Sequence, residues 1–265
     1  MARLAWLTDI HLNFISPARR QGFHQSVRAV RPDAVLIGGD IGEADSVEGY
    51  LWEMEASLAM PIFFVLGNHD FYAGSIASIR ARILNQTARS RYLRWLPPTG
   101  VVKLSETTAL VGHDGWGDGR LGEGPLSDVL LSDFFVIEDL RDLDKLELFH
   151  RLNVLGDEAG QYFRRVLPEA LDSYANVILL THVPPFQESC WHEGRISSPD
   201  FLPHFTCQAV GEALLEVMDG RPDRHLTVLC GHTHSQGFAQ IRDNLVVRTG
   251  GAEYGAPVIQ DIFEV

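Results

Sequence analysis

Five short clusters of histidine, aspartate and asparagine stand out in the sequence, and each directly follows an apolar run. They are Asp9-Ile10-His11, Gly38-Gly39-Asp40, Gly67-Asn68-His69-Asp70, Thr181-His182 and Gly231-His232-Thr233-His234. Imidazole nitrogens together with carboxylate and amide oxygens form a ligand set that suits Mn²⁺, Fe, Zn²⁺ or Co²⁺. The clusters therefore predict a transition-metal site.

The number of candidate ligands favours two metal ions over one. Seven or more nitrogen and oxygen ligands are too many for a single tetrahedral ion, whereas two ions about 3.5–4 Å apart can share a carboxylate and an activated water. The three cysteines, Cys190, Cys207 and Cys230, lie outside the clusters, which excludes a structural zinc site built on thiolates. Their odd number and their spacing predict free thiols rather than disulfides.

Short apolar runs that end at polar residues are the elements that must position the clusters. Their length and β-branched composition predict strands covered on both faces. The predicted strands are Arg3–Thr8, Ala34–Ile37, Pro61–Leu66, Thr107–Val111, Asn176–Thr181 and His225–Cys230. Helical patterns separate the early strands at Pro17–Val30, Ser46–Met60 and Ser75–Leu93, with Ser46 and Ser75 as N-caps. The alternation predicts a layered α/β fold in which parallel strands end at one edge, where distant clusters can converge.

Two regions depart from this alternation. After His232 the segments Ser235–Ile241, Leu245–Thr249 and Val258–Phe263 predict antiparallel hairpins, so we expect mixed sheets. Residues 113–165 are first rich in Gly and Asp and then acidic. We interpret them as an insertion or cap-like segment within a single domain spanning residues 1–265; the alternative is a solvated acidic surface.

Charge and hydropathy limit the partners of the protein. The 265 residues include 22 basic and 35 acidic side chains, a net charge of −13, and a field of that sign repels nucleic-acid backbones. The sequence contains neither an apolar run long enough to cross a membrane nor an export signal. We therefore expect a cytoplasmic protein without membrane contact; the sequence does not predict its oligomeric state.

In their order along the chain, D-x-H, G-G-D, G-N-H-D, T-H and G-H-T-H, the clusters resemble the motifs of the calcineurin-like metallophosphoesterase superfamily, and of its small bacterial type. The resemblance implies a four-layered α/β/β/α sandwich of two mixed β-sheets, with a dinuclear metal site at the C-terminal edge of the strands. A hydroxide between the two ions would attack phosphorus in line. The implied ligands are Asp9, His11 and His234 for the first metal, Asn68, His182 and His232 for the second, and Asp40 as the bridge.

The same resemblance implies that His69 contacts the phosphate and protonates the leaving oxygen. A neighbouring carboxylate would hold its imidazole cationic near neutral pH. Two acids could orient it: Glu43, at the place where phosphoprotein phosphatases of the superfamily carry an acid, and Asp70, which follows His69 directly. We favour Glu43 because adjacent residues on an extended segment point apart. Those phosphatases follow the acid with an arginine, and Ala44 stands there in this chain, which argues against a protein phosphatase.

Two loops carry further candidates for contact with the substrate. His113 and Arg120 bound a Gly-rich stretch in which Trp116 could form a wall; the alternative is a turn with Trp116 in the core and Arg120 paired to a local aspartate. His192 lies in the long loop Pro184–Pro203, which leaves directly from His182. A loop beside a site often forms its rim, and a merely packed surface loop is the alternative.

The sequence thus predicts a metal-dependent phosphoesterase that acts on a small phosphorylated substrate, whether phosphomonoester, phosphodiester or nucleotide. One alternative is a nuclease acting on DNA or RNA, which the net charge disfavours. The other is a non-catalytic metal-binding scaffold, which is expected to have lost ligands or His69, and this chain keeps them all.

Overall fold

The structure is a computed structural model that describes residues 2–265, and it contains two mixed β-sheets flanked by helices. The strands are β1 (Arg3–Leu7), β2 (Ala34–Gly38), β3 (Ile62–Val65), β4 (Leu93–Trp95), β5 (Val102–Lys103), β6 (Thr108–His113), β7 (Asn176–Thr181), β8 (Trp191–His192), β9 (Arg195–Ile196), β10 (His225–Cys230), β11 (Gly237–Arg242), β12 (Leu245–Thr249) and β13 (Asp261–Glu264). The helices are α1 (Pro17–Ala29), α2 (Val47–Leu58), α3 (Ile76–Arg89), α4 (Leu96–Thr99), α5 (Asp133–Val136), α6 (Lys145–Ser173), α7 (Leu202–Phe205) and α8 (Gln208–Met218).

Both sheets are parallel at their centre and antiparallel at an edge. The first has the strand order β13-β1-β2-β3-β4, with only β13 antiparallel to its neighbour. The second has the order β11-β12-β10-β7-β6-β5, with β11 and β5 antiparallel to their neighbours. The strands that precede the clusters are therefore neighbours: β1, β2 and β3 in one sheet, and β7 and β10 in the other.

The two sheets pack face to face, and helices cover both outer faces. Alternate residues of the strands fill the space between the sheets, including Leu4, Leu36, Leu110, Leu180 and Leu229. The opposite faces of β1 to β3 pack against α1, α2 and α3, and the opposite faces of β6, β7 and β10 pack against α6 and α8. The expected four-layered α/β/β/α sandwich is confirmed.

The end of the chain differs from the predicted series of hairpins. Strands β11 and β12 do form one, but β13 leaves the second sheet and pairs with β1 at the edge of the first. Strand β12 is parallel to β10. The glycine-containing segment between β12 and β13 thus crosses from one sheet to the other.

Of the three predicted helices, α1 and α2 end within two residues of the prediction. The third helix and the cap of α2 differ from it. Helix α3 ends at Arg89, and the last residues of the predicted segment lead into the short edge strand β4. Ser75 caps α3 as predicted, since its hydroxyl accepts a hydrogen bond from the Ser78 N–H. Ser46 makes no such bond to α2, because its hydroxyl accepts from the Glu43 N–H instead.

The segment predicted as an insertion has two structural parts. Its first part, after β6, consists of loops with the short helix α5 and a 3₁₀ turn at Gly124–Leu126. Its second part belongs to α6, which starts at an Asp144 capping box and continues past residue 165 to Ser173. The division of the chain into a domain and an insertion stays a prediction. Across residues 2–265, no helix has both the length and the apolar character that a membrane crossing requires.

We expect the layer between the sheets to make a large contribution to stability. Leu36 is fully buried there, so Leu36→Ala should lower the free energy of unfolding by about 2–5 kcal/mol through lost burial and the cavity left behind. Leu84→Ala is the matched control, because Leu84 is 48% exposed and should change the value by less than about 0.5 kcal/mol. Urea denaturation measures both; equal losses would contradict the packing described.

Candidate metal centre

Seven side chains from five strand ends converge at the edge where the two sheets meet. The segment after β1 supplies Asp9 and His11, and the segments after β2 and β3 supply Asp40 and Asn68. From the second sheet come His182, after β7, and His232 and His234, after β10. These are the residues that the motif resemblance assigns as metal ligands.

The first group consists of Asp9, His11, Asp40 and His234, and one potential ligand atom of each lies within 4.8 Å of the others. The Nε2 atoms of His11 and His234 are 3.1 Å apart. His234 Nε2 lies 3.5 Å from Asp9 Oδ1, and His11 Nε2 lies 3.7 Å from Asp40 Oδ2. This spacing can place the four groups around one cation.

The second group consists of Asn68, His182 and His232, with Asp40 between the two groups. Asn68 Oδ1 is 3.0 Å from His182 Nε2 and 3.0 Å from His232 Nδ1. Asp40 Oδ1 lies 3.5 Å from His182 Nε2, while its Oδ2 faces His11. The carboxylate therefore presents one oxygen to each group, as a bridging ligand must.

Hydrogen bonds outside the site determine which atoms of the second group face inward. His182 Nδ1 donates to the Gly38 carbonyl at 2.8 Å, and His232 Nε2 donates to the His204 carbonyl at 3.2 Å. A carbonyl oxygen can only accept, so in its neutral form each ring turns its unprotonated nitrogen toward Asn68 Oδ1. Three lone pairs then face one another with no proton between them. Such an arrangement is repulsive by itself and fits a cation.

The charges of the buried carboxylates also fit a cation. Burial, together with the charges of Asp9 and Asp70, raises the pKa of Asp40 well above its usual range. Burial also acts to raise the pKa of Asp9, but its interaction with His234 holds it below the usual range. Without a further positive charge the two carboxylates compete for ionisation, and a metal ion would stabilise both as anions.

Two of the four candidate ligand histidines, His11 and His232, are neutral in the chain alone. Burial lowers the pKa of His11 and of His232 to about 3, which leaves these imidazoles with free lone pairs near neutral pH. For His234, burial acts in the same direction, but its hydrogen bond with Asp9 and the charges of Asp9 and Asp40 raise the pKa. Neutral imidazole is the form that binds metal.

The backbone at the site is held in an uncommon conformation. Ten non-glycine residues within residues 2–265 have a positive φ, and five of them are Asp9, His11, Asp40, His232 and His234. Their φ values lie between 38° and 70°, in the left-handed region that is unfavourable for residues with a Cβ atom. This turn after β1, β2 and β10 directs the side chains into the site, and strain of this kind is concentrated at functional sites.

Glycine is required at two positions because chain segments approach closely there. A Cβ atom at Gly67 would overlap Asp40 Oδ1 and come within 2.7 Å of His182 Cε1. A Cβ atom at Gly231 would overlap Asp9 Oδ2 and Thr8 Oγ1. The glycines of G-N-H-D and G-H-T-H thus allow the two sheets to bring their ligands together.

His69 lies beside the two groups and lines the solvent-exposed cleft above them. Its ring stacks on Tyr72 with centroids 4.2 Å apart, and its Nε2 lies 3.5 Å from the Tyr254 hydroxyl. Burial lowers the pKa of His69 to about 4. The expected cationic imidazole is therefore not found in the chain alone, since no carboxylate is close enough to outweigh burial.

Neither of the two acids expected to orient His69 is placed to do so. The Glu43 carboxylate accepts a hydrogen bond from Asn13 Nδ2 at 3.1 Å. The Asp70 carboxylate is fully buried and accepts three backbone N–H groups, from Ile41, Gly42 and Gly67. Asp70 thus joins the loops after β2 and β3 to each other, and within residues 2–265 neither acid has a hydrogen bond to the His69 ring. The described contacts do not support an orienting role for Glu43 or Asp70.

Of the three residues predicted to contact the substrate, one lies in the cleft. His192 lines it together with Phe205 and Thr233. His113 is buried at the end of β6, where its ring packs against Tyr162. Arg120 forms ion pairs with Asp118 and Asp157. The expectation that His113 and Arg120 contact phosphate is therefore wrong, because local packing and pairing hold them elsewhere.

Trp116 is buried in the core. This agrees with the alternative interpretation, in which the stretch from His113 to Arg120 is a turn.

Among the residues of the cleft that were not predicted from the sequence, Asp133 and Tyr254 contact the candidate ligands. Asp133, at the start of α5, accepts hydrogen bonds from Asn68 Nδ2 at 2.9 Å and from the Tyr72 hydroxyl at 2.6 Å; it thereby turns Asn68 Oδ1 toward the two histidines. Tyr254 packs against His11 and His234 with centroids 4.6 and 5.0 Å away. Nothing in the sequence distinguishes Asp133 from the many other acids of its segment. Tyr254, by contrast, is an aromatic residue among glycines, and this was a signal that the sequence offered.

The cleft above the two groups has a volume of about 320 Å³ and is open to solvent. It is lined by Asp40, Asn68, His69, Tyr72, Leu131, Ser132, Asp133, His192, Phe205, His232, Thr233, His234 and Tyr254. A larger groove of about 950 Å³ lies between the sheets at the amino ends of β6, β7 and β10. None of the candidate metal ligands lines that groove, so the smaller cleft is the candidate active site.

Comparison with known proteins agrees with this geometry. The profile of the family described as calcineurin-like phosphoesterase matches residues 2–236. No curated protein sequence gave a significant match. The fold is similar to that of a phosphopantetheinyl hydrolase from Mycobacterium tuberculosis, with a TM-score of 0.60, 14% identity, and coverage of 94% of this chain and 89% of that one. A dimetal phosphatase from Danio rerio gives a TM-score of 0.58 at 16% identity, with coverage of 98% and 88%.

The left-handed backbone at the site leads to a prediction about stability. His234 has a φ of 57°, so in metal-free protein His234→Gly should be about 1 kcal/mol more stable than His234→Ala, because glycine tolerates that conformation. Gln161, an exposed residue within α6, is the control, and there alanine should be about 1 kcal/mol more stable than glycine. Thermal denaturation of the four variants checks both orders. If the alanine variant were the more stable one at both positions, the backbone at His234 would not be strained.

Proposed function

Because the chain belongs to the calcineurin-like phosphoesterase family of metal-dependent hydrolases, we propose that it hydrolyses a small phosphoric ester at a centre of two transition-metal ions. The observation that carries the proposal is the convergence of seven ligand groups from five strand ends, with Asp40 facing both halves. The substrate is a phosphomonoester, a phosphodiester or a nucleotide.

In this proposal the two groups of side chains hold one ion each. Asp9, His11 and His234 hold the first, Asn68, His182 and His232 hold the second, and Asp40 bridges them. When bound, such a pair of ions polarises the phosphoryl oxygens and makes water nucleophilic at neutral pH. The absence of cysteine from the set favours Mn, Fe, Zn or Co held by nitrogen and oxygen.

The protein itself fixes the orientation of the candidate metal ligands and of His69. The His204 carbonyl, the Gly38 carbonyl and Asp133 fix the orientation of His232, His182 and Asn68. The stack of His69 on Tyr72 holds the His69 ring at the edge of the cleft. A ring in that position can donate a proton from Nε2 to the oxygen of the departing alcohol, and a bound phosphate anion would favour its protonated form.

Removal of the bridge tests the metal centre. Asp40→Ala should reduce the occupancy of both metal positions together and abolish ester hydrolysis, because it removes one ligand from each ion. The control Asp45→Ala makes the same change at an exposed position of the same loop and should leave metal content and activity unchanged. Elemental analysis and p-nitrophenyl ester hydrolysis measure the outcome. Full occupancy of both positions in Asp40→Ala would contradict the assignment of the bridge.

The role of His69 is tested through the leaving group. His69→Asn should keep both ions but slow hydrolysis of alkyl esters by about 10²–10⁴-fold, the usual cost of losing a general acid. The loss should be much smaller for p-nitrophenyl esters, whose leaving group needs little protonation. Rates for a series of leaving groups and metal content by elemental analysis provide the measurement. An equal loss for every leaving group would assign His69 to binding instead.

A further inference from the structure

We propose that the cleft is built for monoanionic phosphodiesters rather than dianionic phosphomonoesters, with one organic arm of the diester packed against the aromatic pair Phe14 and Tyr254. This inference rests on the proposed function and narrows the substrate class of the same site. Two observations lead to it: the charges that line the cleft and the apolar surface at its mouth.

The first observation is that the cleft offers no permanent positive charge. Within residues 2–265, none of the side chains that line it is a lysine or an arginine. Its acidic residues are Asp40 and Asp133, and both are buried. The side chains that line the cleft therefore contribute carboxyl groups and imidazoles but no lysine or arginine.

Three basic side chains on segments near the cleft have other partners. Arg80, on α3, pairs with Asp114 at 3.2 Å and with Glu158 at 2.8 Å. Arg120 pairs with Asp118 and Asp157. Lys145, at the start of α6, donates to the Ser127 carbonyl at 2.8 Å. None of these three residues lines the cleft, so they do not supply the missing cation.

The absence of lysine and arginine from the cleft matters because phosphomonoesters and phosphodiesters differ in their number of unesterified oxygens. A phosphomonoester has three such oxygens, and two of them can face a pair of metal ions. The two negative charges are shared by all three oxygens, so the third oxygen needs a cation or strong donors from the protein. In a phosphodiester that third oxygen bears an organic group and needs no cation. A cleft without Lys or Arg therefore matches the diester.

One polar residue of the cleft, His192, is held by aromatic neighbours. His192 lies between Phe201 and Phe205, with ring centroids 5.4 and 5.1 Å away. Its Nδ1 is 3.3 Å from the Thr233 carbonyl oxygen. An aromatic cradle of this kind is suited to an uncharged organic group better than to a phosphate dianion.

The second observation is an exposed aromatic pair at the mouth of the cleft. Phe14 is 50% exposed and Tyr254 is 48% exposed, and their ring centroids are 4.7 Å apart. Tyr254 covers His11 and His234, so the pair stands directly beside the first group of ligands. Exposed aromatic surface next to a polar site is typical of a surface that binds an apolar or planar part of a ligand.

The first experiment compares two substrates of the metal-loaded protein. Bis(p-nitrophenyl) phosphate is a monoanionic diester, and p-nitrophenyl phosphate is the dianionic monoester with the same leaving group. We expect kcat/KM for the diester to exceed that for the monoester by at least tenfold. Activity on the monoester alone would overturn the inference while leaving the proposed function intact.

The second experiment adds the missing charge. Ser132 is exposed and lines the cleft, so Ser132→Arg can place a guanidinium there without disturbing the core. It should raise kcat/KM for p-nitrophenyl phosphate about tenfold relative to Ser132→Gln, which adds a long neutral side chain, and change the value for the diester less than about threefold. No gain for the monoester would show that charge does not limit its use.

The third experiment removes the aromatic surface. Phe14→Ala should raise KM for bis(p-nitrophenyl) phosphate about fivefold, as expected for the loss of an aromatic contact. It should have little effect on methyl p-nitrophenyl phosphate, which has the same leaving group but a small second arm. Phe238→Ala is the matched control, because Phe238 is 57% exposed and lines the groove at the opposite ends of the strands. Equal effects on the two diesters would overturn the assignment of the aromatic arm.

A binding measurement decides the question without turnover. Calorimetry with the metal-loaded protein compares diphenylphosphinate, a monoanion with two aryl arms, with phenylphosphonate, a dianion. We expect tighter binding of diphenylphosphinate to the wild-type protein, and a shift of that preference toward phenylphosphonate in Ser132→Arg. Tighter binding of phenylphosphonate to the wild type would overturn the inference. Binding of neither, together with no hydrolysis of either ester, would overturn the proposed function as well.

Discussion

The organisation of this protein depends on a cluster of buried hydrogen-bond acceptors that have no donor among them. Asn68 Oδ1 faces two imidazole nitrogens at 3.0 Å, and because the far nitrogen of each ring donates to a carbonyl, both facing nitrogens are unprotonated in the neutral rings. Asp9 and Asp40 are fully buried nearby. Such a cluster is unstable in a low-dielectric interior unless a cation occupies it, and the rest of the fold serves to hold it together.

Holding these groups together requires both sheets and a strained backbone. Neighbouring parallel strands of each sheet deliver part of the set, and the two sheets face each other so that their carboxyl ends meet. The chain then turns through the left-handed region at five of the ligand residues. The backbone strain and the repulsion between acceptors both oppose folding of the metal-free chain, and metal binding offsets both. Stability and metal occupancy should therefore be linked in this protein.

The loops decide what such a centre can bind. The loop after β12 brings Tyr254 over the first group, and the segment before α6 brings Asp133 against Asn68. The same segment places Leu131 and Ser132 at the cleft, while Arg120 is held away from it by two aspartates. The candidate ligands lie at strand ends, whereas charge and shape at the mouth are set by these loops, which can therefore distinguish one substrate class from another.

The sequence alone determined the strands that precede the clusters, the order of the clusters and the set of seven ligand candidates. Apolar β-branched runs and the glycines, histidines and aspartates that follow them are local signals, and parallel strands must end at one edge. The sequence could not determine contacts that depend on the packing of distant segments. It did not show that Asp70 binds backbone N–H groups and that Glu43 binds Asn13, that Arg120 is paired, or that β13 joins the first sheet. A carboxylate or a guanidinium has the same local pattern whether it faces a substrate or a neighbouring loop, and only the tertiary structure decides between them.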